Sequence, residues 1–438
     1  MKKKLSLILA TTVMVGLLAG CGQAEPSSNS AGSAAPDSVK AEPTKAGTTT
    51  INIWHSLSGK NGEYMDALLK RFNDSHPNIQ VVGTFQGTYD ETVTKLQQSI
   101  AAKTAPDVTM LERAYVELFA DADALEDLTP MMKASNLSKD EFIAGLMGHS
   151  TFNNKLVTLP LNRSTPILHI NKTLLDAKGL AVPKTWDDLK KVANAMVIKE
   201  GSEIKQYGLT MPYDTWYPIA MITQAGGTFF SENKKSIGFY DNGVGQKVFG
   251  FLKDMQSSGA LFYPPAKDSG NIANQLFTSG KVAMMYQSTG SIGGLASTAK
   301  FDYTTAYLPM DKAYGTPTGG ANVALMAGSK NKTAAWEFVR WMETDPQGAL
   351  PFILQSGYLP FTKSMAASKE LTDLWAKEPN RKVAFDQLQY AVDTNKSVAW
   401  PEVMGEFNKM IEATMYDNKD IKTSLDTFKK QAEQILTK

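Results

Sequence analysis

The chain has 438 residues, with 45 basic and 44 acidic side chains and a net charge of +1, which excludes a charge-driven nucleic-acid binder. A hydrophobic fraction of 42% can fill the cores of two or three domains, and no apolar run of membrane-spanning length follows the N-terminal segment. The single cysteine, Cys21, excludes an internal disulfide framework and a cysteine-rich metal site.

Lys2, Lys3 and Lys4 precede an apolar run over 5–18, the pattern of a secretory signal peptide at 1–20. It ends Leu18-Ala19-Gly20-Cys21, which resembles the lipobox of bacterial lipoproteins. The resemblance implies that the Cys21 thiol receives a diacylglyceryl group and becomes the mature N-terminus. A plain secretory signal with an incidental cysteine is the competing reading. Residues 21–48, rich in Ser, Ala, Pro, Gly and Thr, cannot bury a core and read as a flexible, lipidated tether.

The folded chain begins near 49 with an alternating strand over 49–54. Met65, Leu68, Leu69 and Phe72 then fall at i, i+3, i+4 and i+7, which predicts a helix. A strand at 79–85, a helix opening at Tyr89 and a strand at 107–111 complete a βαβαβ pattern, the mark of a parallel sheet. Ligands bind at the carboxyl ends of such strands, where His55, 86–89 and Glu112 lie. Residues 159–171 then mix proline-bounded polar groups with a short apolar strand, and Asn171 is placed to cap a helix. This is an extended crossing to a second α/β unit. That unit contains a Thr185-capped helix, strands at 207–211, 282–286 and 301–308, and the aromatic loop 212–218. The glycine-rich 315–322 reads as a return crossing, and the extended, polar 355–360 as a third. Several helices follow to the C-terminus.

Catalytic signatures are missing. The four histidines, His55, His76, His149 and His169, show no metal-ligand spacing, and there is no Gly-x-Ser-x-Gly elbow. Ser58-Gly59-Lys60-Asn61 lacks the other elements of a phosphate loop. Tyr89, Trp216, Tyr358 and Trp400 sit at loop ends, where each could stack on a sugar face or on a choline-like cation, or simply pack. Ser164, Ser288 and Ser291 could hydrogen-bond a polar ligand, and Gly319 and Gly320 permit close backbone approach, unless they only make turns.

Together, Ile-Trp-His-Ser at 53–56, Phe-Asn-Asp-Ser-His-Pro-Asn-Ile at 72–79, Leu-Asn-Arg-Ser-Thr-Pro-Ile-Leu-His-Ile-Asn-Lys at 161–172, Pro-Lys-Thr-Trp-Asp-Asp-Leu at 183–189 and Ser-Gly-Tyr-Leu-Pro at 356–360 resemble family 1 extracellular solute-binding proteins of bacterial ABC importers. Within that family, 86–89, 288–291 and 319–321 are similar to glycerol-3-phosphate-binding members. The resemblance covers 49–438. It implies ligand roles for Tyr89, Glu112, Ser164, Ser288 or Ser291, Gly320 and Tyr358, and places Trp216 in the cleft. One departure stands out: the arginine with which the relatives engage phosphate has no counterpart in 395–402, where Trp400 stands instead. Arg163 could compensate; Lys396 is a poor substitute for a bidentate arginine.

The expected fold is therefore α/β, of the two-lobed periplasmic-binding-protein type (type II), with lobes joined by a multi-crossing hinge. The expected first lobe is 49–161 plus 318–358; the second is 162–317 plus 359–438 with the C-terminal helices. The expected function is that of a membrane-anchored extracellular lipoprotein, acting as a monomer without cofactor, metal or nucleic acid. It captures a saccharide, a glycerophosphodiester or glycerol 3-phosphate between the lobes and delivers it to ABC permease subunits. The alternatives are a secreted carbohydrate-active enzyme and a lipoprotein that presents its ligand to a sensor.

Overall fold

The computed structural model describes residues 47–392 and 396–438. The signal peptide, Cys21 and nearly all of the tether lie outside the described residues, as do three residues just before Lys396.

Two sheets organise the fold. The first runs in the order Ile79–Phe85, Thr49–His55, Val108–Glu112, Ala321–Leu325, Leu159–Pro160. Its first three strands are parallel and its last two pairings antiparallel. The helix Gly59–Ser75 buries Met65, Leu68, Leu69 and Phe72, the set that its spacing predicts. Tyr89–Ala101 starts at a capping box between Thr88 and Glu91 and connects Ile79–Phe85 to Val108–Glu112.

The second sheet repeats the plan. Its order is Leu261–Phe262, Glu203–Thr210, Val282–Ser288, Pro166–Asn171, Tyr303–Ala306. Three parallel strands are again followed by antiparallel pairings. Asn171 caps Lys172–Ala177 by accepting from the Leu174 N–H, and Thr185 forms a capping box with Asp188 on Trp186–Ala195. A hairpin, Ile198–Glu200 onto Glu203–Thr210, goes beyond the expected elements; four of its strand residues are charged, and its outer strand is exposed.

Each sheet has its own core. Ile51, Ile53, Leu68, Phe72, Met110, Val323 and Phe338 belong to the first; Leu168, Leu209, Phe239, Phe249, Met284, Phe407 and Phe428 to the second. The molecule is thus a two-lobed α/β protein, as expected. The chain leaves the first sheet after Pro160 and joins the second at Pro166, then returns between Ala306 and Ala321.

The third passage differs from expectation. Residues 355–356 are not extended: they end the helix Leu350–Ser356, and Gly357, at φ +91°, is its left-handed cap. Leu359, Phe361, Met365, Leu371, Trp375 and Ala384 then pack into the first core, not the second. Only from Trp400 onward do the helices Trp400–Met415 and Ile421–Leu436 join the second core. A helix cap and a hinge share Gly and an extended successor, so the local sequence does not separate them.

Candidate functional site

The crossings meet at Asn162 and Arg163. The Asn162 side chain accepts from the Ala321 N–H at 2.8 Å and donates to the Tyr89 hydroxyl at 3.0 Å. Arg163 donates to the Asn322 side chain at 2.9 Å and to the Thr318 hydroxyl at 2.7 Å, while its carbonyl accepts from the Leu359 N–H. Ser164 and Gly319 exchange backbone hydrogen bonds at 2.7 and 3.2 Å. Gly320 is confined to glycine twice over: φ is +80°, and a Cβ would lie 2.0 Å from the Asn162 carbonyl oxygen. Gly319 lies under the Trp216 ring, which a Cβ would meet at 2.4 Å. The Trp216 indole N–H donates to the Pro317 carbonyl at 3.1 Å, which fixes the ring against the crossing.

Around this junction the carboxyl ends of parallel strands from both sheets supply side chains. Glu112 ends its strand and accepts from the Ala114 N–H at 2.8 Å, with Arg113 Nε 3.9 Å away. Tyr89 and Asp90 open the helix Tyr89–Ala101 of the first lobe, and the Tyr115 hydroxyl donates to Asp90. From the second lobe come Asp214, which accepts from the Trp216 N–H at 2.8 Å, and Trp216 itself. Ser288, half-buried, accepts from the Gly290 N–H, and Ser291 is half-buried at the end of the same turn. The Tyr358 hydroxyl accepts from Asn61 at 3.4 Å, and one face of its ring is stacked on Phe352 at 5.5 Å.

Asp90 and Asp214 are exposed, whereas Glu112, Tyr89, Tyr115, Trp216 and Tyr358 are half-buried. Asp214 is solvent-accessible, yet surrounding protein pushes its carboxyl up to about 6, with Asp90 adding to the shift and Arg113 opposing it. Glu112 is raised by burial against the pull of Arg113 and Arg163, and Asp214 raises it further. Burial likewise raises the Tyr89 and Tyr115 hydroxyls. Asp90, Glu112 and Asp214 therefore lie near enough to influence one another, with the Tyr89 and Tyr115 hydroxyls beside them and Tyr358 beside Tyr89. Such a grouping can stack on an apolar face and accept hydrogen bonds from hydroxyl groups.

Tyr89, Glu112, Trp216, Ser288, Ser291, Gly320 and Tyr358 are half-buried. Ser164 is enclosed, and its backbone is engaged with Gly319. Two other candidates lie elsewhere than expected. Arg163 is fully buried and ties the crossings together, so in this conformation it presents no guanidinium to a ligand. Trp400 is 6% exposed and packs on Phe229 and Phe230 at 5.3 and 5.9 Å, as part of the second core. Its spacing with Val403, Met404 and Phe407 is that of a buried helix face. His55 and Gln86, grouped with the site by topology, are both buried. Asp214, Asn61, Asp90 and Tyr115 lie at the site beyond the residues expected there. Asp214 lies in the aromatic loop and Asn61 in the polar loop after the first strand, so position gave a signal for both. Among the described residues no three His, Cys, Asp or Glu side chains converge as a metal site.

The family model described as bacterial extracellular solute-binding protein matches residues 67–382. The sn-glycerol-3-phosphate-binding periplasmic protein UgpB of Agrobacterium fabrum is 26% identical over 402 residues, covering 86% of this chain and 90% of that protein. The fold is similar to that of UgpB from Mycobacterium tuberculosis in complex with glycerophosphocholine, at a TM-score of 0.80 and 23% identity over 89% of this chain and 99% of that one. It is also similar to the GacH receptor of Streptomyces glaucescens, solved unliganded and with acarbose, at a TM-score of 0.80, 23% identity and the same coverage.

Proposed function

Since the chain belongs to the bacterial extracellular solute-binding protein family, we propose that it is the capture component of an ABC importer. In this reading it closes on a polyhydroxylated solute and passes it to the permease without chemical change. It acts as a monomer held at the outer face of the cell membrane by acylated Cys21. The observation that carries the ligand class is the balance of the cleft. Tyr89, Trp216 and Tyr358 offer rings, and Asp90, Glu112 and Asp214 offer acceptors, while Arg163 is enclosed on Asn322 and Thr318. Carboxylates repel a free phosphate dianion and accept from sugar hydroxyls. The reading therefore leans to a saccharide or a glycerophosphodiester, with Tyr89, Glu112, Trp216, Ser288, Ser291, Gly320 and Tyr358 as ligand residues. Glycerol 3-phosphate is the second reading, favoured by the names of the UgpB relatives.

A thermal-shift screen tests this. A ligand that binds only the folded state raises the melting temperature, by about 2.7 kcal/mol of stabilisation at a hundredfold excess over Kd. Oligosaccharides or glycerophosphodiesters are expected to give the largest shifts. A shift with glycerol 3-phosphate alone would reinstate the second reading. Breakdown of any oligosaccharide during incubation would point to an enzyme instead. For the anchor, Cys21→Ser is expected to leave the membrane fraction or remain unprocessed. Unchanged fractionation and processing would remove the lipoprotein assignment.

A further inference from the structure

A second cavity, of about 400 Å³, lies on the second lobe and is lined by Phe262, Tyr263, Pro265, Ala266, Glu412 and Tyr416. It sits where the edge strand Leu261–Phe262 meets the C-terminal end of the helix Trp400–Met415. Its wall is continuous with a cluster of three tyrosines. Tyr263 and Tyr416 have ring centroids 5.7 Å apart, and Tyr213 lies 6.4 and 5.9 Å from them.

The polar inventory of this wall is unusual. The Tyr416 hydroxyl donates to the Pro264 carbonyl, and the Tyr263 hydroxyl is enclosed away from solvent. Tyr213 donates to Glu412 at 3.0 Å. What remains open to an occupant is aromatic surface and one exposed carboxylate, Glu412. Among the described residues no Lys, Arg or His pairs with Glu412: Lys409 is engaged by Glu406 and Lys419 by Asp417. A sugar would find too few hydrogen-bond partners here, and an anion would meet Glu412. An alkylated ammonium fits both features, because it brings positive charge to ring faces and a carboxylate and asks for few or no hydrogen bonds.

We propose that this pocket is a binding site for a quaternary ammonium group, separate from the solute cleft. The probe is tetramethylammonium, with choline as a second cation and 3,3-dimethylbutan-1-ol as the neutral isostere of choline. Binding to the full chain is followed by ligand-observed NMR. Both cations should bind, and the neutral isostere about tenfold or more weaker, the size of a cation–π contribution near a carboxylate. Glu412→Gln, which keeps shape and removes charge, and Tyr416→Leu, which removes a ring, should each weaken the cations by about tenfold. Tyr263→Phe keeps the ring and should leave binding unchanged, and circular dichroism confirms the fold of each variant. Equal binding of the neutral isostere, or insensitivity to Glu412→Gln, would overturn the site. So would cation binding abolished by Trp216→Ala, because the cation would then occupy the solute cleft. Failure here leaves solute capture untouched, since Glu412 and Tyr416 take no part in it.

Discussion

Trp216 is the cleft residue whose removal has the simplest consequence. It offers a large ring, is anchored by one hydrogen bond to Pro317, and lies over a glycine. Trp216→Ala should weaken solute binding by about 10- to 100-fold, in the range of a buried aromatic anchor. Calorimetric titration reads this directly; an unchanged Kd would place the solute elsewhere. Asp214 adds a pH signature. Its carboxyl is pushed up to about 6, and only the ionised form accepts two hydroxyl hydrogen bonds freely. Affinity for a hydroxylated solute should therefore rise as pH increases through about 6, and Asp214→Asn should flatten the profile. A profile that keeps its slope in the variant would assign the titration to another group. Glu343, outside the cleft, tests burial alone. It is fully enclosed, neither carboxyl oxygen has a hydrogen-bond partner among the described residues, and burial raises its pKa well above the ordinary value. The folded state thus holds its proton more tightly than the unfolded state does. The contribution is complete below the unfolded value of about 4.3 and is lost as pH rises toward the folded value, by at most about 1.4 kcal/mol per pH unit. Urea unfolding of the parent should lose stability relative to Glu343→Gln over that range; parallel curves would contradict it. At this scale the sequence was only partly legible. A buried arginine and a ligand arginine look alike, because the partners that enclose Arg163 lie 155 and 159 positions away. Trp400 is legible as a core residue from its i, i+3, i+4 and i+7 companions, which describe a buried helix face.

Among the elements, the helices were the most readable, because phase and cap agree. The apolar set of Gly59–Ser75 and the Asn171 and Thr185 caps depend on neighbours within a turn or two. Crossings were harder, since their partners are distant. Ser164 needs Gly319, and Asn162 needs both Tyr89 and Ala321. The segment after Gly357 was placed with the wrong lobe because its apolar residues fit either core equally well by pattern. The crossing itself makes a prediction. Gly320→Ala forces an L side chain to φ +80° and toward the Asn162 carbonyl at 2.0 Å. The strain should destabilise the protein by about 1–3 kcal/mol, read as a lower urea midpoint with an unchanged m value. A midpoint equal to the parent's would show that the junction yields readily.

For the whole molecule, the paired sheets and the crossings between them bring residues of both lobes together at one junction. The repeated βα pattern made the two-lobed plan legible, whereas the charge balance of the cleft emerged only when Asp90, Glu112 and Asp214 came together in space. That balance sets the central claim, capture of a hydroxylated solute rather than a free phosphate. Calorimetric titration of the purified chain with an oligosaccharide series, glycerophosphodiesters and sn-glycerol 3-phosphate, each at low and high ionic strength, tests it most directly. A saccharide or glycerophosphodiester should bind more tightly than glycerol 3-phosphate, with the saccharide's affinity nearly independent of salt. Tight binding of glycerol 3-phosphate that weakens as salt rises, with no heat from the other solutes, would contradict it.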